Sequence, residues 1–356
     1  MTSPNSKAKM LEEAIQFFRD EVQPNAYAID HDPKAMLVAF EGLKSRGLLA
    51  LKRPEEFGGP AMSESDFRRF QEEIARYSGS LAFLQTQHQS AVSLINKQGG
   101  DSLKKAYLPH MHDAKTVGLG FSQLRRAGNP ICRATLIDGG FRIDGFVPWI
   151  TGKGFFDEYI IGATLQNGQS LFGIVPLKNV KGQVLSKPMK LAAIEAASTV
   201  TAQLDGYFLP NNKVAFIQDK DWIKANDAFN ITLQGHFAIG CAMAGIDIVR
   251  DNGQKRSLAF LSKAADDLTR EVDECRQALI DSQRDFDEAT APARLKKRAW
   301  AIDVMMRCAQ AAVTSSSGAA NTADHPANRV LREAIVFSVS AQTMPIMEAT
   351  MERLVR

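Results

Sequence analysis

Apolar residues recur at helical spacing through the first third of the chain. Leu11, Ile15, Phe18 and Val22 form one stripe, Met36, Leu37, Phe40 and Leu43 a second, and Phe67, Phe70, Ile74 and Tyr77 a third. Steps of three and four return a side chain to the same side of a helix, so each run predicts a helix with one buried face. Turn chemistry separates the stripes at Asp32-Pro33, from Pro54 to Pro60, and at Gly99-Gly100. Ser63 with Asp66 three residues on predicts an N-terminal cap for the third helix.

From Thr116 to about Ile217 the period shortens to two. Phe141 to Gly145 alternates apolar and polar, and so does Thr199 to Leu209, whereas Tyr159 to Ala163 and Leu171 to Val175 are short apolar runs. Such segments predict strands, with turns at Gly139-Gly140, Asn167-Gly168 and Pro210-Asn211-Asn212. From Trp222 onward long helical patterns return, with breaks expected near Asn252-Gly253, at Ala291-Pro292 and across Thr314 to Pro326. The chain therefore reads as α+β, mostly α, with an N-terminal helical domain over 1–115, a central β-barrel-like domain over 116–221 and a C-terminal helical bundle over 222–356. Helices, then strands, then helices, without alternation, exclude a doubly wound parallel sheet. No GxGxxG opens a helix after a strand, so a nucleotide would not be held in the Rossmann manner.

Composition narrows the class. Of 356 residues 45% are hydrophobic and 23% charged, with a net charge of +3, an ordinary globular balance that points away from nucleic acid. Lys296-Lys297-Arg298 reads as a solvated helix face. Cys132, Cys241, Cys275 and Cys308 form no CxxC pair and read as reduced, mostly buried thiols. The six histidines include no HExxH, and no metal site is expected. Met1 to Lys9 is polar and no stretch is long enough to span a bilayer, so a cytoplasmic protein with no membrane contact is expected.

Several segments, in order along the chain, resemble the acyl-CoA dehydrogenase superfamily. Gly47 to Pro60 (GLLALKRPEEFGGP) resembles its G-L-x-x-x-x-x-P-E-x-Y-G-G turn, and Ala106 to Pro109 its YLP. Asp138 to Gly145 and Trp149 to Gly152 resemble G-x-x-x-L-x-G-x-K-x-W-I-T-N, and Asp205 to Pro210 resembles F-D-x-V-x-V-P. The resemblance implies a helical domain, a central β domain and a C-terminal four-helix bundle, assembled as a homo-oligomer (dimer or tetramer) with FAD between domains and across subunits. It places Trp149 and Thr151 against the isoalloxazine ring, and Phe121 and Ser122 beside it. The following acidic-Pro-Gly loop is altered to Gln123 through Asn129. Arg256, sixteen positions after Gly240, falls where the family binds the FAD pyrophosphate of a neighbouring subunit, and Gly318 is what survives of its Q-x-x-G-G-x-G segment. The ring-binding half looks kept and the dinucleotide half eroded, which leaves FAD first and FMN as a competitor.

The resemblance also implies a carboxylate base for α-proton removal, coupled to hydride transfer to flavin N5. In most members it follows an R-D-A-K helix; here Leu331 to Ala334 matches x-R-D-A and the base position carries Ala341, or Ser338 after a slip of a few residues. In a minority it lies ten residues before a helix Gly, which is Asn230 here, with Ile231 in place of the CoA-binding Arg. Glu333 matches a family acid without a catalytic role. Glu348 and Glu352, opposite Ile346, Met347 and Leu354, read as the solvated face of the last helix. His88 and His236 remain as weak candidates, each either a packing histidine or one that serves flavin-oxygen chemistry. Three functions stay open: a flavin oxidoreductase acting on a small molecule other than standard acyl-CoA, with an electron-transfer partner; a monooxygenase fed by a flavin reductase; and a catalytically silent binding or scaffold protein.

Overall fold

The computed structural model describes residues 4–284 and 288–355; Met1 to Ser3, the start of the polar N-terminal stretch, lie outside it. Six helices come first: α1 (Pro4–Phe17), α2 (Ala26–His31), α3 (Pro33–Ser45), α4 (Glu64–Tyr77), α5 (Gly79–Gln98) and α6 (Asp101–Tyr107). Caps fix several of their starts. The Asp32 side chain accepts from the Lys34 N–H with Pro33 in the first turn, Ser63 accepts from the Asp66 N–H, and Ser78 from that of Leu81. The stripes bury as their spacing predicts, with Phe18, Met36, Phe40, Phe70 and Ile74 at 1% exposure or less, while Leu37 faces water.

Eight strands follow: β1 (Val117–Gly120), β2 (Cys132–Ile137), β3 (Gly140–Ile150), β4 (Glu158–Thr164), β5 (Ser170–Pro176), β6 (Gln183–Leu185), β7 (Val200–Pro210) and β8 (Val214–Gln218). They form one sheet in the order β6-β7-β3-β2-β4-β5-β8, with β1 parallel to β4. The four sequence-predicted strand segments fall on β3, β4, β5 and β7, with Thr199 alone lying just outside, one residue before β7.

The chain then returns to helices: α7 (Trp222–Phe229), α8 (Gly235–Lys255), α9 (Ala259–Arg284), α10 (Ala291–Ser316), α11 (Pro326–Val339) and α12 (Met344–Leu354). Gly240 lets α8 press against α4, since a Cβ there would stand 2.1 Å from the Glu72 carbonyl oxygen. Arg76 locks the same pair of helices by a two-pronged bond to Asp247, 2.7 and 2.8 Å. The four cysteines are buried and unbridged.

One local expectation is placed more closely and two are corrected. The break expected near Asn252-Gly253 falls at 256–258, between the ends of α8 and α9; Gly253 itself stays helical, accepts the Leu258 N–H at 2.9 Å, and gives α9 room, a Cβ there meeting Ser262 at about 3 Å. Lys296-Lys297-Arg298 is not a solvated face as a whole. Arg298 turns inward, fully buried, and its Nη2 donates to the Phe337 and Ser340 carbonyls. On α12 the apolar residues do not oppose the glutamates from a buried side: Ile346 alone of that helix is buried, while Met347 and Leu354 are exposed along with Glu348 and Glu352.

Candidate functional site

β3 and β7 run antiparallel, with Val147 opposite Ala202 and Ile150 opposite Val200. Three steps along β3 therefore match two along β7, and the extra residue makes a bulge that re-aims the end of β3. Trp149 lies inside this bulge and keeps 49% of its surface in water, although Val147 and Ile150 on either side are fully buried. Thr151 follows at the strand end, 7% exposed, its hydroxyl 3.0 Å from that of Thr199 just before β7. Directly afterwards Gly152 adopts φ +103°, and a Cβ there would collide with the Phe156 ring at 2.2 Å. Glycine alone makes this corner without strain. The Gly152 N–H donates to the Ala197 carbonyl and the Lys153 N–H to that of Ser198, stitching the corner to the β6–β7 loop.

The end of β1 abuts this corner. A Cβ on Gly118 would lie 3.3 Å from the Thr151 carbonyl oxygen, and one on Gly120 3.1 Å from Ile150. Phe121 and Ser122 leave β1 there. Phe121 is buried, edge-on to Phe172 with ring centres 5.4 Å apart. The Ser122 hydroxyl is buried without a hydrogen-bond partner. Gln123 ties the loop down by donating to the Gly120 and Gly162 carbonyls. Arg125 reaches across to α7 and grips both carboxylate oxygens of Asp227, Nε–Oδ2 2.7 Å and Nη2–Oδ1 2.8 Å. Trp149, Thr151, Phe121 and Ser122 are thus brought to the adjoining ends of β1 and β3.

Arg256 and Gly318 form a second group at one end of the bundle. Arg256 is exposed and donates from Nη1 to the Ser315 carbonyl, one turn from Gly318, which is also exposed. Ser317 between them has φ +55°.

The positions at which the resemblance leads one to expect a base carry no carboxylate. Ala341 is exposed in the α11–α12 turn at φ +51°, and Ser338 spends its hydroxyl on the Ala334 carbonyl. Asn230 folds back to donate to the Asn226 carbonyl, and Ile231 is buried. His88 is fully buried with both ring nitrogens engaged. The Val117 N–H donates to Nδ1 at 2.9 Å, so Nε2–H donates to the Met111 carbonyl at 2.7 Å. His236 is equally enclosed, its Nδ1 2.7 Å from Glu72 and its Nε2 3.0 Å from the Gln283 amide. Burial pushes both histidines below their ordinary range, for His236 in spite of the Glu72 carboxylate beside it. The sequence reading missed Thr199 and the Arg125–Asp227 pair. The alternating Thr199-Val-Thr201 was the available signal for the first; an ion pair between residues 102 apart leaves none.

Comparison with known proteins agrees with this architecture. Residues 5–115 match the family "Acyl-CoA dehydrogenase, N-terminal domain". Mitochondrial isovaleryl-CoA dehydrogenase of Oryza sativa subsp. japonica is 22% identical over 96% of this chain and 89% of its own. A probable acyl-CoA dehydrogenase of Bacillus subtilis is 22% identical over 97% of both. Among solved structures, butyryl-CoA dehydrogenase from Megasphaera elsdenii superposes with a TM-score of 0.83 at 18% identity, covering 100% of each chain. The glutaryl-CoA complex of glutaryl-CoA dehydrogenase superposes with 0.82 at 17% identity, covering 100% of this chain and 96% of the other. With the N-terminal family matched over residues 5–115 and relatives aligned nearly end to end, the chain is similar along its length to acyl-CoA dehydrogenases and shares their fold.

Proposed function

We propose that the chain is a flavin-dependent oxidoreductase that holds FAD and acts on a small molecule other than a standard acyl-CoA thioester. The observation that carries this reading is the half-bare Trp149 indole beside the Thr151–Thr199 hydroxyl pair, where the ends of β1 and β3 meet. An aromatic face left in water on a sheet, next to hydroxyls whose protons can turn outward, suits a flat, polar-edged ring. Ser122, with no protein partner for its hydroxyl, supplies one more unspent group there.

Bound FAD would supply the hydride acceptor. Trp149 would cover one ring face, Thr151 would donate toward a ring nitrogen while Thr199 keeps its hydroxyl aligned, and Phe121 would exclude water from the edge. Arg256, already fixed to Ser315, leaves further N–H groups for a diphosphate carried by a second copy of the chain. Nothing at Ala341, Ser338 or Asn230 removes a proton at neutral pH, and Ile231 offers no charge to CoA phosphates. These replacements support a substrate that needs no α-proton abstraction by those positions.

The test is purification followed by FAD and FMN titration, then dye reduction with a panel of acyl-CoAs. We expect a yellow protein that binds FAD and turns over acyl-CoAs very slowly. A protein taking up neither flavin would end the enzyme reading. Brisk acyl-CoA turnover would overturn the assignment of substrate class.

A further inference from the structure

Ile194 and Ser198 hold left-handed backbone, φ +57° and +51°, in the β6–β7 loop. A β-branched residue at positive φ is strained, and such strain persists only where surroundings impose it. What imposes it comes from another part of the fold. Asp30, at the end of α2, is fully buried, and its Oδ1 accepts the Ile194 N–H at 2.6 Å and the Ser80 hydroxyl at 2.5 Å. Its Oδ2 is held by Arg332 of α11 at 2.7 Å. Ser80 is fixed in turn, because Glu333 accepts the Gly79 and Ser80 N–H groups at 2.9 and 3.3 Å and is itself gripped by Arg329. Downstream of Ile194, the Ala197 and Ser198 carbonyls receive the Gly152 and Lys153 N–H groups, and Thr199 meets Thr151.

We propose that Asp30 is a positioning residue for the Thr151–Thr199 hydroxyl pair, acting through the strained 194–198 loop. The inference rests on the flavin reading above for what the hydroxyls do, but the mechanical link is independent of it. Asp30 draws α2, α5 and α11 onto one point and hands that anchorage to a single backbone N–H. From there the loop carries it to the corner after β3. A carboxylate buried at the meeting of three helices costs desolvation, which two charge-assisted donors and a backbone N–H offset. The aim of Thr151 is thereby set by a residue some 120 positions earlier in the chain.

The test compares wild type with Asp30→Ala and Asp30→Asn by amide hydrogen exchange without flavin, and by FAD titration. Asp30→Ala should speed exchange at 152–153 and 194–198 by at least tenfold while amides of β4 and β5 keep wild-type rates. It should weaken FAD binding about tenfold or more. Asp30→Asn retains an acceptor for Ile194 and should restore most of both. Should Asp30→Ala not fold, Asp30→Ser, too short to reach the Ile194 N–H, is read by the same two outcomes. Unchanged exchange at 152–153, or wild-type FAD affinity in a variant whose loop has loosened, overturns the proposal. If wild type binds no FAD the flavin reading falls, and the exchange measurement alone still decides whether Asp30 sets the corner.

Discussion

Trp149 gains little from folding of the single chain, because about half of its surface stays in water. Trp149→Ala should therefore shift folding stability by no more than about 0.5 kcal/mol, as for an ordinary surface position. If the indole covers a flavin ring, the same change should weaken FAD binding by about 1–2 kcal/mol, roughly ten- to thirtyfold. Parallel urea melts and FAD titrations separate the two effects. His88 lies at the opposite extreme, closed to solvent with both nitrogens committed. Its folded-state pKa lies below the ordinary value of about 6.5, so the unfolded chain binds more protons in the window below that value. Its contribution is complete above about pH 6.5 and is lost as pH falls beneath it. Urea midpoints at pH 7 and pH 5 should differ less in His88→Gln than in wild type. At pH 7 that variant should be less stable by about 1–3 kcal/mol, from the two bonds it no longer makes in the same geometry.

At the scale of elements, α7 is pinned at both ends. Trp222 packs on Phe172 and Phe216 of the sheet, and Asp227 is gripped by Arg125 from the loop that carries Phe121 and Ser122. Both partners of the pair are largely buried, which screens it less than an exposed ion pair. A double-mutant cycle of Arg125→Ala and Asp227→Ala should show coupling of about 1–2 kcal/mol, reduced in 1 M salt, with faster amide exchange in α7. Additive single effects would mean the two segments are held by packing alone. Elements of this kind divide sharply in how far the sequence discloses them. Phe70, Ile74 and Tyr77 repeat at helical spacing, and Thr199 to Leu209 alternates, because local geometry repeats and sequence records the repeat. The break expected near Gly253 comes at 256–258, and why a glycine stands just before it, the close approach of Ser262 on α9, is not written in the local sequence. Arg298 reads as solvated within a basic triplet, yet the helical period places it on the buried face. For the proposed site, resemblance alone singles out Trp149 and Thr151. Thr199, Asp227 and Asp30 act through partners distant in sequence, and a single chain written out linearly keeps no trace of such pairings.

The molecule as a whole leaves one helix under-used. Of α12 only Ile346 is buried, while Met344, Met347, Met351 and Leu354 are 44–74% exposed and recur at steps of three and four, one stripe along the helix. Ile335 and Val339 of α11 are exposed as well, at 47% and 60%. A soluble chain tolerates scattered apolar residues at its surface, but a helical stripe of flexible methionines beside aliphatic neighbours favours contact with a partner. Within the reading proposed above that partner is a second copy. Wild type should then sediment as a dimer or tetramer at micromolar concentration, and Met347→Glu with Met351→Glu should shift it toward monomer without loss of helical circular dichroism. A monomeric wild type would remove the expectation. Dissociation should also reach the flavin. If Arg256 and the Gly318 turn serve the cofactor of a neighbour, the charged variant should bind FAD more weakly than wild type, although neither substituted methionine lies on the sheet that carries Trp149. Dissociation with undiminished FAD affinity would place the whole cofactor site within one chain and leave Arg256 to its bond with Ser315.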